Sequence, residues 1–246
     1  MPSPSITGGR IRTWREEGMD IFFPQQKLII DGQEKLRGGM HVCFPSFGPV
    51  DKKFGLPQHG RLRDLRGIKR SSNWELRGSD LLGCFNQPIS VSISAIPQKR
   101  GFRFSIFASL KKEATAAVPI GMGLHPYFST PQGYASTGYY GERFEGTPQT
   151  VVRKLELSDY VRRQYFYEIT IHLKDLGTVK MNVGGDFLKV PNPAVVFWRD
   201  DPRYLCVEPV MALPEDYGTE RCLWLKPGEH AYLSCDFEFF GKGFSV

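Results

Sequence analysis

Two short segments of the 246-residue chain place a titratable side chain directly before a proline. One reads Gly121-Met122-Gly123-Leu124-His125-Pro126-Tyr127-Phe128, the other Tyr204-Leu205-Cys206-Val207-Glu208-Pro209-Val210. The proline after His125 biases its backbone to extended or turn geometry. An imidazole between apolar Leu124 and the rings of Tyr127 and Phe128 reads either as a satisfied structural histidine or as a general acid–base group. Glu208 ends an apolar, strand-like run. At a solvated strand tip it is an ordinary carboxylate; in a cleft, desolvation raises its pKa and equips it as a base near neutrality.

A third segment, Leu36–Arg66, is dense in Gly and Pro and must hold unusual backbone angles. It sets Arg37, Gln58, His59, Arg61 and Arg63 beside turn residues. A guanidinium fork can hold a phosphate or a vicinal diol bidentately; the alternative for each arginine is a solvated basic loop.

Other chemistries lack their motifs. The sequence contains no Walker loop, G-x-G-x-x-G, H-E-x-x-H or G-x-S-x-G. The histidines at 41, 59, 125, 172 and 230 show no metal-ligand spacing. Five cysteines, an odd number with no C-x-x-C pair, argue against a disulfide framework and against a thiolate zinc site. Nucleotide, zinc-peptidase and serine-hydrolase readings thus lose their usual support.

The elements that must position these groups are strands. Ile89–Ile96 alternates strictly between apolar and polar residues. Phe102, Phe104, Ile106, Ala108 and Leu110 oppose Arg103, Ser105, Ser109 and Lys111, with Phe107 the exception. Tyr167, Ile169, Ile171 and Leu173 alternate with Glu168, Thr170, His172 and Lys174. Leu233, Cys235, Phe237 and Phe239 alternate with Tyr232, Ser234, Asp236 and Glu238. Each pattern predicts a half-buried antiparallel strand. Asp31-Gly32 reads as a hairpin turn, and Pro227-Gly228-Glu229 separates Leu223–Leu225 from Ala231–Leu233 in the same way. With 26 Gly and 18 Pro, long helices have little room; only Ser158–Arg163 has helical potential. Leu36–Arg66, Gly121–Pro131 and Asp200–Gly218 read as loop-like islands on this scaffold, where chemistry tends to sit.

The expected fold class is all-β, a large antiparallel sandwich. A single domain is expected over residues 1–246, with 1–18 loosely ordered or an edge segment; β-sandwiches of this length are routinely one unit. The formal charge of +6 favours anionic partners without the clustered basic footprint of a nucleic-acid binder. The first twenty residues carry no apolar secretory segment and no run of 18 apolar residues spans a membrane. With the odd cysteine count, this points to reduced thiols and a cytoplasmic protein. Oligomeric state is not set by these features.

In order along the chain, Arg37-Gly38-Gly39, Cys43-Phe44-Pro45-Ser46-Phe47-Gly48, His59-Gly60 with Arg63, Leu124-His125-Pro126-Tyr127-Phe128 and Cys206-Val207-Glu208-Pro209 resemble the motifs of the aldose 1-epimerase (galactose mutarotase-like) superfamily. The likeness runs roughly from Asp20 to Phe239 and is strongest to the glucose-6-phosphate 1-epimerase branch. It implies a β-supersandwich and an isomerase that interconverts the α and β anomers of a hexose or hexose 6-phosphate, a reaction for which no metal and no organic cofactor is expected. His125 would be the general acid and Glu208 the general base, facing each other across a cleft wide enough for a pyranose ring. His59 would hold the ring, Arg37 and Arg63 hydroxyls or a phosphate, with Gln58 and Tyr127 also at the substrate. The partner implied is a small sugar or sugar phosphate. His41 departs from the branch, which usually has Pro there, and so does Arg61-Leu62-Arg63-Asp64. The branch's acidic substrate-binding residue has Asp159, Asp175 and Asp186 as candidates. The competing reading is a non-catalytic carbohydrate-binding or assembly subunit on the same sandwich.

Overall fold

The computed structural model describes residues 6–65, 68–70, 73–77, 79–133, 135–137, 143–145, 147–157 and 165–242. Among them the regular structure is strands and short 3₁₀ turns, with no α-helix. The first part of the chain supplies β1 (Ile6–Thr7), β2 (Arg10–Ile11), β3 (Arg15–Glu16), β4 (Met19–Asp20), β5 (Gln26–Ile30), β6 (Gln33–Arg37), β7 (Met40–Cys43), β8 (Ile68–Arg70) and β9 (Asn73–Arg77). The middle supplies β10 (Ile89–Gln98), β11 (Gly101–Leu110), β12 (Val118–Ile120), β13 (Gly123–Ser129), β14 (Ala135–Thr137), β15 (Arg143–Phe144) and β16 (Gln149–Lys154). The remainder are β17 (Phe166–Leu173), β18 (Gly177–Gly185), β19 (Ala194–Arg199), β20 (Tyr204–Val210), β21 (Leu223–Leu225) and β22 (His230–Gly241).

Two antiparallel sheets dominate, one in the order β1-β2-β7-β13-β20-β19-β16 and the other β15-β14-β17-β18-β22-β11-β10-β9-β8. This is the all-β antiparallel supersandwich expected. In β10, β11, β17 and β22 the apolar set turns inward, as in the Ile89, Val91, Ile93 series, while the polar set faces out. Phe107 is 40% exposed, as the break in its pattern requires. These inward residues share one core with Val42, Leu124, Phe128, Val195, Phe197, Leu205 and Val207 from the opposing sheet. Each fully buried side chain of this size contributes about 1.5–3 kcal/mol relative to exposure.

Asp31 and Gly32 both take positive φ and join β5 to β6, the geometry of a two-residue hairpin turn. The second turn differs from expectation. Pro227-Gly228-Glu229 does turn the chain, but β21 pairs with β12 whereas β22 lies between β11 and β18. It connects two sheets rather than closing a hairpin. Two of the supposed loop islands are corrected as well. Gly121–Pro131 holds β13 and Asp200–Gly218 holds β20, both buried along their whole length at the centre of a sheet. The possible helix at Ser158–Arg163 lies outside the described residues.

Candidate active site

One row of side chains crosses the seven-stranded sheet. Arg10 pairs with His41 and His41 with His125; the register that pairs Gly123 with Val210 and Tyr127 with Cys206 sets Glu208 opposite His125, and Glu208 pairs with Val196. Partners across neighbouring strands point to the same face. Residues two apart on a strand also share it, which adds Cys43, Tyr127, Cys206 and Trp198. The opposite face, with Val42, Leu124, Phe128, Leu205, Val207 and Phe197, belongs to the sandwich core. The polar face is flanked by the β5–β6 hairpin, where Leu28 and Ile30 pack with Tyr127, Tyr204 and Cys206, and by Phe47 and Leu213 packed on Cys43, Val196 and Val210.

Between these flanks lies a cavity of about 670 Å³. His125, Glu208, Arg37, Gln58, His59, Arg63 and Tyr127 all line it, so the structure brings these seven residues together. Lining residues that the sequence reading did not single out as substrate-binding include Arg10, Lys35, His41, Trp198 and Asp200. Arg61 lies outside this lining and donates instead to Gly55 O at 3.3 Å.

His125 and Glu208 are 4% and 2% exposed. His125 Nε2 stands 3.4 Å from Glu208 Oε2. The expected cleft between them is therefore absent: the two groups touch, and both are reached from the same cavity. Burial pushes the Glu208 carboxyl well above the usual carboxylate range. Burial, followed by His59 and the charges of Arg63 and Arg37, holds the His125 imidazole well below its usual value. Both groups are driven toward their neutral forms, so the contact is not that of a fixed ion pair. His125 Nδ1 and Glu208 Oε2 are buried without a hydrogen-bond partner.

Three imidazoles cluster here. His41 stacks on His125 with centroids 4.4 Å apart, and His59 meets both edge-on at 5.5 and 5.0 Å. Arg63 Nη1 lies 3.3 Å from His41 Nε2. Arginine only donates, so that nitrogen is the acceptor and the His41 proton sits on Nδ1. His59 Nδ1 accepts from the Gly48 N–H at 3.2 Å, which places its proton on Nε2. Burial, then Arg63 and Arg37, push the His59 pKa down to about 3. His59 itself has φ 64°, and a Cβ on the following Gly60, at φ 68°, would run into Phe44 O. Only glycine lets the chain pass there and turn His59 inward.

Arg37 is not a free phosphate fork. Its Nη2 donates to Asp200 Oδ2 at 2.7 Å and its Nε to Tyr204 Oη at 3.1 Å, while the guanidinium lies 5.2 Å from the Trp198 ring centroid. Tyr204 Oη donates to Asp200 Oδ1. The turn carrying Asp200 is tied by buried Arg199, which donates to Pro202 O at 2.6 Å and to Gly133 O and Phe144 O at 3.0 Å. Among the described residues, Asp200 is thus the acid between the His125 and Glu208 motifs that reaches the cavity. Asp175 pairs with Lys242 and Asp186 with Lys189, both outside its lining; Asp159 lies outside the described residues.

Neither a family model nor a curated protein matches the sequence. Solved structures do. A galactose mutarotase related enzyme from Lactobacillus acidophilus superposes with a TM-score of 0.65 at 13% identity, over 98% of this chain and 95% of that one. A galactose mutarotase-like protein from Lactobacillus casei gives 0.63 at 12%, over 96% of each chain. The Slr1438 protein from Synechocystis sp. PCC 6803 gives 0.63 at 17%, over 96% of this chain and 91% of that one. These likenesses establish the galactose mutarotase-like fold.

Proposed function

We propose that this protein is an aldose 1-epimerase acting on a hexose or hexose 6-phosphate. The observation that carries the reading is the buried His125–Glu208 contact of 3.4 Å at the floor of a cavity. Anomer exchange requires one proton to leave the C1 hydroxyl while another reaches the ring oxygen. Both oxygens are bonded to C1, so two adjacent groups on one wall can serve them together. With the pair's one transferable proton passed from Glu208 to His125, ring opening has His125 protonate the ring oxygen while Glu208, now a carboxylate, takes the hydroxyl proton; rotation about C1–C2 and reclosure with the roles exchanged deliver the other anomer. Each group contributes about 10²–10⁴-fold.

The surrounding residues divide the remaining work. The Arg37–Asp200 pair offers both a donor and an acceptor to neighbouring hydroxyls, and Trp198 and Tyr127 offer aromatic faces to sugar C–H groups. His59, its proton on Nε2, supports the ring. Arg10, Lys35, Arg37 and Arg63 line the cavity against Asp200 and Glu208, an excess of positive charge that suits a phosphorylated sugar. The five unpaired cysteines suit a reducing, cytoplasmic compartment, and among the described residues no helix is long and apolar enough to cross a membrane.

The test is a mutarotation assay over a panel of free hexoses and hexose 6-phosphates. Acceleration of anomer exchange, abolished in H125N and E208Q, supports the reading. Sugar binding without any acceleration would replace it with a non-catalytic carbohydrate-binding role.

A further inference from the structure

The cavity floor carries a donor set that proton transfer alone does not use. His125, Cys206 and Glu208 each offer one ligand atom, and these atoms all lie within 4.8 Å of one another. All three residues are buried. They come from adjacent strands: Cys206 and Glu208 sit two apart on β20, and His125 faces Glu208 from β13. Two donors each about 2.0–2.1 Å from a tetrahedral ion stand about 3.3–3.4 Å apart. The His125 Nε2–Glu208 Oε2 separation is 3.4 Å.

We propose that His125, Cys206 and Glu208 form a site for a borderline-soft divalent cation of the Zn²⁺ class, with its fourth coordination position open to the cavity. The donor chemistry selects this class. A thiolate, an imidazole and a carboxylate suit Zn²⁺ or Co²⁺, whereas Mg²⁺ and Ca²⁺ require oxygen shells. Charge also balances: one thiolate and one carboxylate neutralise a dication in a place where an isolated charge is costly. Glu208 Oε2, buried and unpartnered, shows that the protein does not satisfy this set by itself.

A second cluster, His41, Cys43 and His59, has similar spacing but its donors are occupied. His59 Nδ1 accepts from Gly48 N–H, and His41 Nε2 accepts from the Arg63 guanidinium, whose charge repels a cation. The cations near Cys206 are Arg37 and Arg199; Arg37 is paired with Asp200 at 2.7 Å, and Arg199 donates to the carbonyls of Pro202, Gly133 and Phe144. The absence of a metal-ligand spacing in the sequence is no obstacle, because sheet register rather than chain proximity assembles this set. Binding releases the Cys206 thiol proton and any proton on Glu208. The ion then holds the nitrogen and oxygen that anomer exchange uses, so metal occupancy and mutarotation exclude each other. That last consequence rests on the proposed epimerase activity; the site itself does not.

The experiment titrates chelator-treated protein with Co²⁺ as the optical probe and Zn²⁺ as competitor. One equivalent of Co²⁺ should produce a near-ultraviolet thiolate-to-metal band and visible tetrahedral bands, which Zn²⁺ bleaches. C206S should lose the thiolate band, E208Q should weaken binding about tenfold or more, equivalent to about 1.4 kcal/mol, and C43S should keep both signals. Zn²⁺ should also raise the melting temperature of the unsubstituted protein, a readout independent of whether any variant folds. No stoichiometric band in the unsubstituted protein, or a band lost in C43S and kept in C206S, overturns the proposal. Mutarotation without any Co²⁺ band sinks the metal site and leaves the epimerase reading standing. A Co²⁺ band without mutarotation, in chelator or out of it, keeps the site and sinks that reading.

Discussion

The rings of His41 and His125 stack at 4.4 Å between centroids with 26° between their planes, and sheet register pairs the two residues directly across β7 and β13. Tyr127 lies nearly parallel to His125 on another side, 4.8 Å away. The ring that would move a proton is thus held by two neighbours, and one of these is fixed by Arg63 through Nε2. His41→Ala removes the stack and the acceptor for Arg63 together. It should lower kcat by about tenfold or more with a smaller change in KM, since misplacing a reacting group costs rate before affinity. His41→Phe restores a ring without the acceptor and should recover much of kcat. Steady-state mutarotation kinetics of the two variants check this.

The Arg37–Asp200 pair makes a second expectation. Both side chains are mostly buried, at 16% and 13% exposure, and joined at 2.7 Å. Asp200→Asn leaves the guanidinium short of its counter-charge and removes an acceptor aimed at the cavity. KM should rise about 10–100-fold, in line with about 1.5–3 kcal/mol for a charge-assisted hydrogen bond. Arg37→Ala should act similarly, and the double variant should cost less than the sum because the residues act on one another. Additive effects in a double-mutant cycle would show that the pair does not work as a unit.

The half-buried strands were legible and the site strands were not, for one physical reason. β10, β11, β17 and β22 have one face on the core and one on water, so burial prints a period of two on the sequence. β13 and β20 are buried on both faces, and no alternation survives. Gly121, Gly123, Pro126 and Pro209 then resemble loop punctuation although the segments are central strands. His125 and Glu208 were legible by type and motif, but their 3.4 Å contact depends on register that no local pattern encodes. Asp200 escaped for the same reason, since its partner Arg37 lies 163 positions away in the chain. His41 was visible only as a departure from a motif; its stack on His125 needed the fold.

Stability should fall on acidification. His41, His59 and His125 are each held below the usual histidine pKa, chiefly by burial, with His59 at about 3. The unfolded chain takes up protons on these groups as pH drops through about 6.5, while the folded chain does not. Between that value and the folded pKa the unfolded state binds more protons, so stability is lost as pH falls. Each such proton contributes about 1.4 kcal/mol per pH unit. Glu208 opposes the trend: its raised pKa means that the folded state binds the proton more tightly above about pH 4.3. With histidines in the majority, the urea midpoint should be lower at pH 5 than at pH 7.5. His59→Gln should flatten the dependence. A midpoint that rises on acidification would refute this account of the buried cluster.

If the substrate carries a phosphate, its advantage should be ionic. The basic excess around the cavity, Arg10, Lys35, Arg37 and Arg63 against Asp200 and Glu208, attracts a dianion at a distance. Raising the ionic strength from low salt to about 0.15 M shortens the screening length to about 8 Å. The ratio of kcat/KM for a hexose 6-phosphate to that for the free hexose should therefore fall with salt. Equal turnover of both at low salt would assign the cavity to neutral aldoses.

The pH–rate profile tests the proposed catalytic pair itself. Anomer exchange needs one proton on the His125–Glu208 pair and one vacancy, whichever member holds the proton. Adding a second proton protonates His125, and burial displaces that event below the ordinary histidine value. Removing the first proton ionises Glu208, and burial displaces that event above the ordinary carboxylate value. The active protonation state therefore spans the interval between these two displaced events, and kcat/KM should show a plateau with its acid limb well below pH 6.5. Glu208→Gln cannot carry the exchange, and His125→Asn cannot cycle a proton; each should lower kcat by about 10²–10⁴-fold with little change in KM, because the lost interaction belongs to the transition state. The double variant should cost far less than the product of the two, since neither group works without the other. A narrow bell centred on the ordinary histidine pKa would mean that the pair is hydrated during turnover, and folded single variants with near-normal kcat would remove both residues from the mechanism.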